Sequence, residues 1–232
     1  MTTHAFIFAR GGSKGLPRKN IKLLAGKPLL QYSIETAQQV SEINKVFVST
    51  DDDEIAAIAQ SSGAIVIDRP DELAGDTAPE WLAWRHAINW VTKYDGGFDS
   101  FVSLPTTSPL RSISDVEGAI KQLATKDADI CISVTPASRS PFFNMVKIDK
   151  EGIVGLVNAP EYGVSRRQDA PQVFDITTVV YVSSPGFILN NNGMFSGKVT
   201  SITVPKERAV DIDDIFDFKF AETLLADVTN NN

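Results

Sequence analysis

AFIFARGGSKGLPRKN, residues 5–20, is the stretch that decides the fold. Its first five residues form an uninterrupted apolar run, as in a strand buried on both faces. The following residues bring Gly11, Gly12 and Gly15 together with Arg10, Lys14, Arg18 and Lys19, and no acid. A buried strand ending directly in a glycine-rich basic loop is how an open α/β sheet presents a ligand site, beyond the carboxyl end of a strand. The three glycines allow a tight loop whose N–H groups can converge on an anion.

Outward from that loop the pattern repeats. KVFVST (45–50), AIVIDR (64–69), SFVSLP (100–105) and DICISVT (129–135) read as further buried strands, and amphipathic stretches at 29–40, 53–62, 80–92 and 114–125 lie between them. This alternation predicts an α/β fold: a mostly parallel, Rossmann-like sheet flanked by helices. Ser114, ahead of Asp115 and Glu117, is the expected cap of the fourth helix. Past residue 140 the rhythm changes. NMVKIDKEGIVGLV (144–157) reads as a hairpin with Lys-Glu-Gly in its turn. TTVVYVS, a helical 185–190, KVTSITVP and a last helix at 213–227 then restore the α/β pattern. The chain is thus expected to be one domain over 1–232, with 138–175 as an insertion too small to bury a core of its own.

Composition narrows the classes of function. The 232 residues are 43% hydrophobic and 22% charged, ordinary for a soluble domain. No apolar run reaches the ~18 residues of a membrane span. The N-terminus lacks the basic region and cleavage site of a secretory signal, so the cytoplasm is the expected compartment. Cys131 is the only cysteine, which excludes an internal disulfide framework and a cysteine zinc site. Net charge is −7, yet six basic residues and no acid precede Glu35. An acidic chain with one basic segment reads as a protein with one anion site, not a nucleic-acid binder.

Three segments could carry chemistry. The first is the basic loop. It matches neither Gly-x-Gly-x-x-Gly nor a Walker A loop, and Pro17 delays the next helix, so side chains rather than a helix N-terminus must hold the phosphates. The second is DIDD, 211–214, after an apolar strand. In extended chain Asp211 and Asp213 face one side, and paired carboxylates can hold Mg2+, with substrate oxygens completing its shell. Asp214 and Asp217 are expected to cap the last helix. The third is LPTTSPLR, 104–111, where Thr106, Thr107 and Ser108 offer hydroxyls and Arg111 reads as structural. Asp51, Asp52 and Asp53 read as a helix cap, His86 as solvated, and no Ser-His-Asp relay is evident.

Taken together, ARGGSKGLPRKN, VSTDDDEIA, RPDELAGDTA, the TSPLR loop, RRQDAPQVF and VDIDDIFDF resemble the acylneuraminate cytidylyltransferases along almost the whole chain. The resemblance implies a fold of nucleotide-diphospho-sugar transferase type and transfer of CMP from CTP to a nonulosonic, sialic-acid-like sugar acid, with release of pyrophosphate. It puts Arg10, Gly11, Gly12, Ser13, Lys14, Lys19 and Asn20 on the nucleotide loop, and Arg69, Asp76 and Thr77 on a second nucleotide segment. Asp211 and Asp213 fall on the metal aspartates, while Arg167, Gln168, Thr177 and Thr178 fall on the sugar side. It also implies a homodimer in which 138–175 is exchanged. On charge and hydropathy, neither nucleic acid nor membrane is an expected partner. The chain departs from the sialate pattern at Pro105, where that pattern has Gln, and at Thr177-Thr178, where it has Asn-Gly. These departures leave open another 3-deoxy-ulosonic acid as substrate. A catalytically silent nucleotide-binding protein is the reading from a different class.

Overall fold

The computed structural model describes residues 1–159 and 166–230. The strands are β1 (Thr3–Phe8), β2 (Leu23–Leu24), β3 (Lys27–Pro28), β4 (Ile43–Thr50), β5 (Ile65–Asp68), β6 (Ser100–Ser103), β7 (Ile130–Pro136), β8 (Val146–Ile148), β9 (Val154–Leu156), β10 (Phe174–Ser183) and β11 (Val199–Thr203). The helices are α1 (Leu29–Gln39), α2 (Asp53–Ser61), α3 (Glu80–Tyr94), α4 (Ile113–Lys126), α5 (Pro185–Asn190) and α6 (Ile215–Asn230).

Seven strands form one sheet in the order β11-β7-β10-β6-β1-β4-β5. Its pairs are parallel except those of β10, which lies antiparallel between β6 and β7. The sheet is therefore mostly parallel, as expected, with helices on both faces. Strand alternation builds two cores. On one side Ala5, Ile7, Val48 and Val102 meet Leu30 and Ile34 of α1, Ile55 of α2 and Val116 of α4. On the other Phe6, Phe47 and Phe101 meet Trp84, Ile88 and Val91 of α3 and Phe187 of α5. Phe6 stacks on Phe101 with centroids 4.5 Å apart, at the separation where aromatic pairs add to area burial. A third cluster, with Leu16, Leu24, Ile212 and Phe218, seats α6 against the loop that follows β1.

Two expectations about local structure change. Ser112, not Ser114, caps α4: its hydroxyl accepts from the Asp115 N–H at 3.3 Å, and the Asp115 carboxylate accepts from the Ser112 N–H at 2.9 Å. This reciprocal box satisfies two helix-end donors at once. DIDD does not directly follow a strand, since β11 ends at Thr203 and an irregular stretch intervenes. Residues 138–175 hold the expected hairpin, β8 paired antiparallel with β9 in a two-stranded sheet apart from the main one. The last two residues, Phe174 and Asp175, already pair with β7. Ile148, Ile153 and Val154 of the hairpin are exposed.

Candidate functional site

β1 has β4 on one side and β6 on the other, and the chain crosses it in passing from β5 to β6. The crevice beyond the carboxyl ends of β1 and β6 is where such a sheet places its ligand. A cavity of about 350 Å3 occupies that crevice, lined by Arg10, Arg69, Asp76, Thr106, Asp211 and Asp213 among others.

The basic loop is held against two other segments. Gly11 donates its N–H to Asp51 Oδ1 at 3.0 Å. A Cβ on Gly11 would meet Asp52 Oδ2 at 2.7 Å, and one on Gly15 would meet the Asp213 carbonyl at 2.3 Å. The glycines thus serve close approach to neighbouring chain, and the Gly11 N–H is taken by a carboxylate. Arg10 donates to Asp76 Oδ1 at 2.9 Å and to the Ala74 carbonyl at 3.2 Å, and Lys14 also pairs with Asp76. The Lys14 contact, with Arg10 adding, holds the Asp76 carboxyl below the usual range. Two cations are thereby pooled on one exposed carboxylate that lines the cavity. Lys19 goes elsewhere: its Nζ donates to the Ile212 carbonyl at 2.6 Å and lies 3.4 Å from Asp213 Oδ1. It ties the first loop to the DIDD segment.

Behind this front the groups are buried. Arg69 is 6% exposed. Its Nε donates to Ser49 Oγ at 3.1 Å and its Nη2 to the Ser49 carbonyl at 2.7 Å, over the Phe8 ring. Burial lowers its pKa, against the pull of Asp51 and Glu80. Asn20 does not line the cavity. It is buried, donates to the Arg10 carbonyl at 3.0 Å and accepts from Thr106 Oγ1 at 2.6 Å, so it sets the loop's path from behind. Gly12 and Ser13 lie on the outer part of the loop, and exposed Thr77 stands outside the lining although its neighbour Asp76 is part of it.

Asp211 carries the informative oxygen. Its Oδ1 is buried without a hydrogen-bond partner, a state that is costly unless something else meets it. Asp213 lines the same cavity. The Ile212 N–H between them donates to the Thr107 carbonyl at 2.9 Å, locking the segment to the loop after β6. Asp214 and Asp217 do cap α6, the former accepting from Phe216 at 2.7 Å and the latter from Asp213 at 3.0 Å. Two carboxylates, one with a buried unpaired oxygen, are a donor set that suits a hard cation such as Mg2+ completed by substrate oxygens.

The sugar-side residues separate. Thr178 lines the cavity and bonds Ser108 Oγ at 2.7 Å. Thr177 is instead buried in the sheet, donating to Ser133 Oγ at 2.8 Å. The register between β10 and β7 shifts just there. The Ser133 hydroxyl takes the Val180 N–H freed by that bulge, at 3.1 Å. Gln168 lines a different hollow, of about 230 Å3, with Pro136, Arg139 and Pro171. The Arg167 side chain lies outside the described residues. Pro105 lines the cavity and Arg111 stands behind it. Arg111 Nε donates to the Val179 carbonyl at 2.7 Å and Nη1 to Ser33 Oγ at 2.6 Å, and Nη2 reaches the Pro105 and Thr178 carbonyls. Burial pushes its pKa down to about 9.

Glu80, absent from the sequence reading, also lines the cavity. Loss of water on its protein side pushes its carboxyl pKa up, and nearby Asp211 adds to this. An acid opening a helix reads in sequence only as a favourable first-turn charge, but Trp84, four residues on, shows which way it faces. His86 is half-buried rather than solvated, and its Nδ1 is buried without a partner. Cys131 is buried, its thiol pushed up to about 12 by loss of water, as expected of an inert core residue.

Comparison with known proteins bears on the fold and on the family. CMP:2-keto-3-deoxy-manno-octonic acid synthetase complexed with CTP superposes with a TM-score of 0.74 over 98% of this chain and 100% of that one, at 17% identity, which establishes the fold. CMP-N,N'-diacetyllegionaminic acid synthase of Campylobacter jejuni is 34% identical over 95% of this chain and 93% of its own length. The post-translational flagellin modification protein B of Campylobacter coli is 33% identical over 94% and 93%. N-acylneuraminate cytidylyltransferase of Escherichia coli is 32% identical over 95% of this chain, which spans 51% of that enzyme. The cytidylyltransferase family profile matches residues 4–147, and with these relatives it shows that the chain belongs to the cytidylyltransferase family.

Proposed function

We propose that the enzyme transfers CMP from CTP to a nonulosonic acid and releases pyrophosphate. One observation carries the reading: a single cavity at the carboxyl ends of β1 and β6 joins Arg10 of the basic loop, Arg69 and Asp211, whose Oδ1 is buried without a partner. The anomeric oxygen of the sugar acid bonds to the α-phosphorus as the bond from that phosphorus to the pyrophosphate oxygen breaks. Arg10 and Lys14 exchange Asp76 for the triphosphate and neutralise the departing charge. Lys19 holds the Asp213 segment against the loop. Asp211 and Asp213 would hold Mg2+, which supplies further charge neutralisation on the triphosphate when bound. The proton of the attacking hydroxyl passes to water or to a carboxylate of the cavity.

The enzyme acts, in this reading, as a cytoplasmic homodimer, one subunit's 138–175 segment reaching its partner's site with Arg167 and Gln168. The exposed apolar residues of the hairpin support this, as does the position of Gln168 outside its own chain's cavity. At Pro105 the wall has no side-chain donor or acceptor, and Thr178 is engaged with Ser108 and Thr107. N-acetylneuraminic acid is therefore expected to be a poorer substrate than a relative with altered amino or deoxy substituents. A relative named for an N,N'-diacetylated sugar supports that direction.

The test is pyrophosphate release from CTP across a panel of nonulosonic and octulosonic acids, with and without Mg2+. Turnover of at least one nonulosonic acid is expected. No release with any of them would leave the silent nucleotide-binding reading standing. A tenfold lead for N-acetylneuraminic acid would refute the substrate preference alone.

A further inference from the structure

Glu80 stands between two hollows. It lines the nucleotide cavity, and among the described residues it is the one shared with an adjoining hollow of about 750 Å3 lined by Trp81, Trp84, Met194 and Phe195. Its Oε1 accepts from the Trp84 Nε1–H at 3.2 Å, one helical turn on. Its Oε2 has no hydrogen-bond donor among the described residues. The location is electrostatically awkward. Asp211 and Asp213 line the same cavity, and the expected substrates bring a triphosphate and a sugar carboxylate. Arg69 in the same cavity offsets part of this charge, and the free Oε2 is left to accept from a substrate group that donates a hydrogen bond.

We propose that Glu80 is the acceptor by which this enzyme reads an N–H on the sugar acid, the adjoining aromatic hollow taking the apolar part of the same substituent. An acylamino group has both halves, a donor N–H beside an apolar chain, and so matches a carboxylate oxygen at the edge of an apolar hollow. A hydroxyl has only the first half. The proposal rests on the cytidylyltransferase reading above. A hydrogen bond to an ionised acceptor is stronger than a neutral one, and an unpaired partner penalises the substrate that lacks the donor.

The experiment compares two sugar acids alike in all but one position, where one carries an acylamino group and the other the acyloxy isostere, which keeps the apolar chain and lacks the N–H. Steady-state kcat/KM is measured for both in the wild type, Glu80→Gln and Glu80→Ala, together with KM for CTP. The wild type should prefer the acylamino sugar by about 10–100-fold. Glu80→Gln, which keeps an uncharged acceptor, should retain part of that preference, and Glu80→Ala should bring it within about threefold of unity. The two sugars are compared at saturating CTP, so a change in KM for CTP that accompanies either variant leaves their ratio untouched. A preference that survives in both variants overturns the proposal. So does a loss shared equally by the two sugars, which would make Glu80 merely a favourable acid at the start of α3. If Glu80→Ala does not fold, the Gln arm decides by the same comparison. Absence of pyrophosphate release from either sugar in the wild type would sink the cytidylyltransferase reading, and this inference with it.

Discussion

A fully buried arginine without a carboxylate partner is costly, and Arg111 is one. Its hydrogen-bond partners are three carbonyls and a hydroxyl, and its pKa near 9 leaves it charged at neutral pH. It stitches the Pro105 wall to the Thr178 wall, and the negative charges of Asp115 and Asp211 partly offset the effect of burial on it. Arg111→Met should lower the urea unfolding free energy by about 2–4 kcal/mol, because several buried acceptors lose their donor. A loss under about 1 kcal/mol would show that the walls hold without it. The cavity aspartates should behave differently. Asp211→Asn or Asp213→Ala should cut turnover by about 100-fold or more, a few kcal/mol of transition-state stabilisation, with little change in the urea midpoint. Near-normal turnover in saturating Mg2+ would remove them from the metal role. Lys19→Ala should also slow turnover, and Gly15→Ala should do so by pushing on the Asp213 carbonyl.

At the scale of elements, the start of α4 is tied to the chain that leads into DIDD. Asp115, 5% exposed, closes the capping box and receives both Nε and Nη2 of Arg208 at 3.0 and 2.9 Å. Desolvation raises its pKa, but the bonds from Arg208 and Ser112 outweigh that and leave it below its ordinary value. A carboxyl depressed in the folded state stabilises above its unfolded pKa of about 3.9, and that contribution disappears as pH falls through the folded value. Asp115→Asn should therefore be less stable than the wild type by about 1–2 kcal/mol at pH 7. The two stability curves should run parallel above the unfolded pKa of about 3.9 and converge as pH falls below it through the folded value. Curves that keep their separation on full acidification would show that the charge on Asp115 is not what Arg208 and the helix end use.

For the molecule as a whole, the basic opening segment was expected to serve one anion site, and it divides. Arg18 pairs with Asp52 and Glu54, Lys27 with Glu35, and Lys22 sits over the Phe218 ring. Arg10 lines the cavity, and Lys14 and Lys19 pair with Asp76 and Asp213, which also line it. The hairpin bears on assembly. Ile148 is 68% and Ile153 64% exposed on an element too small for its own core. The native mass should be twice the 25.2 kDa chain mass, and Ile148→Glu with Ile153→Glu should yield monomers without activity. A wild-type mass of one chain at micromolar concentration would contradict the exchanged-segment dimer.

Strand and helix positions were legible because each is a local choice. An uninterrupted apolar run such as AFIFA fits a strand buried on both faces, and the glycine-rich basic loop after it fits a turn at a strand end. Composition likewise excluded an internal disulfide framework, since Cys131 is the only cysteine. The order of the sheet was not local. Nothing between residues 174 and 183 says that β10 inserts antiparallel between β6 and β7, or that its bulge turns Thr177 into the sheet and Thr178 into the cavity. Nor could sequence say that Glu80 shares a cavity with Asp211, 131 positions away. Propensity and patterning act over one or two turns of chain, whereas a site is assembled where distant strand ends converge. That convergence is set by which strands pair, and the pairing minimises the free energy of the whole core rather than of any segment within it.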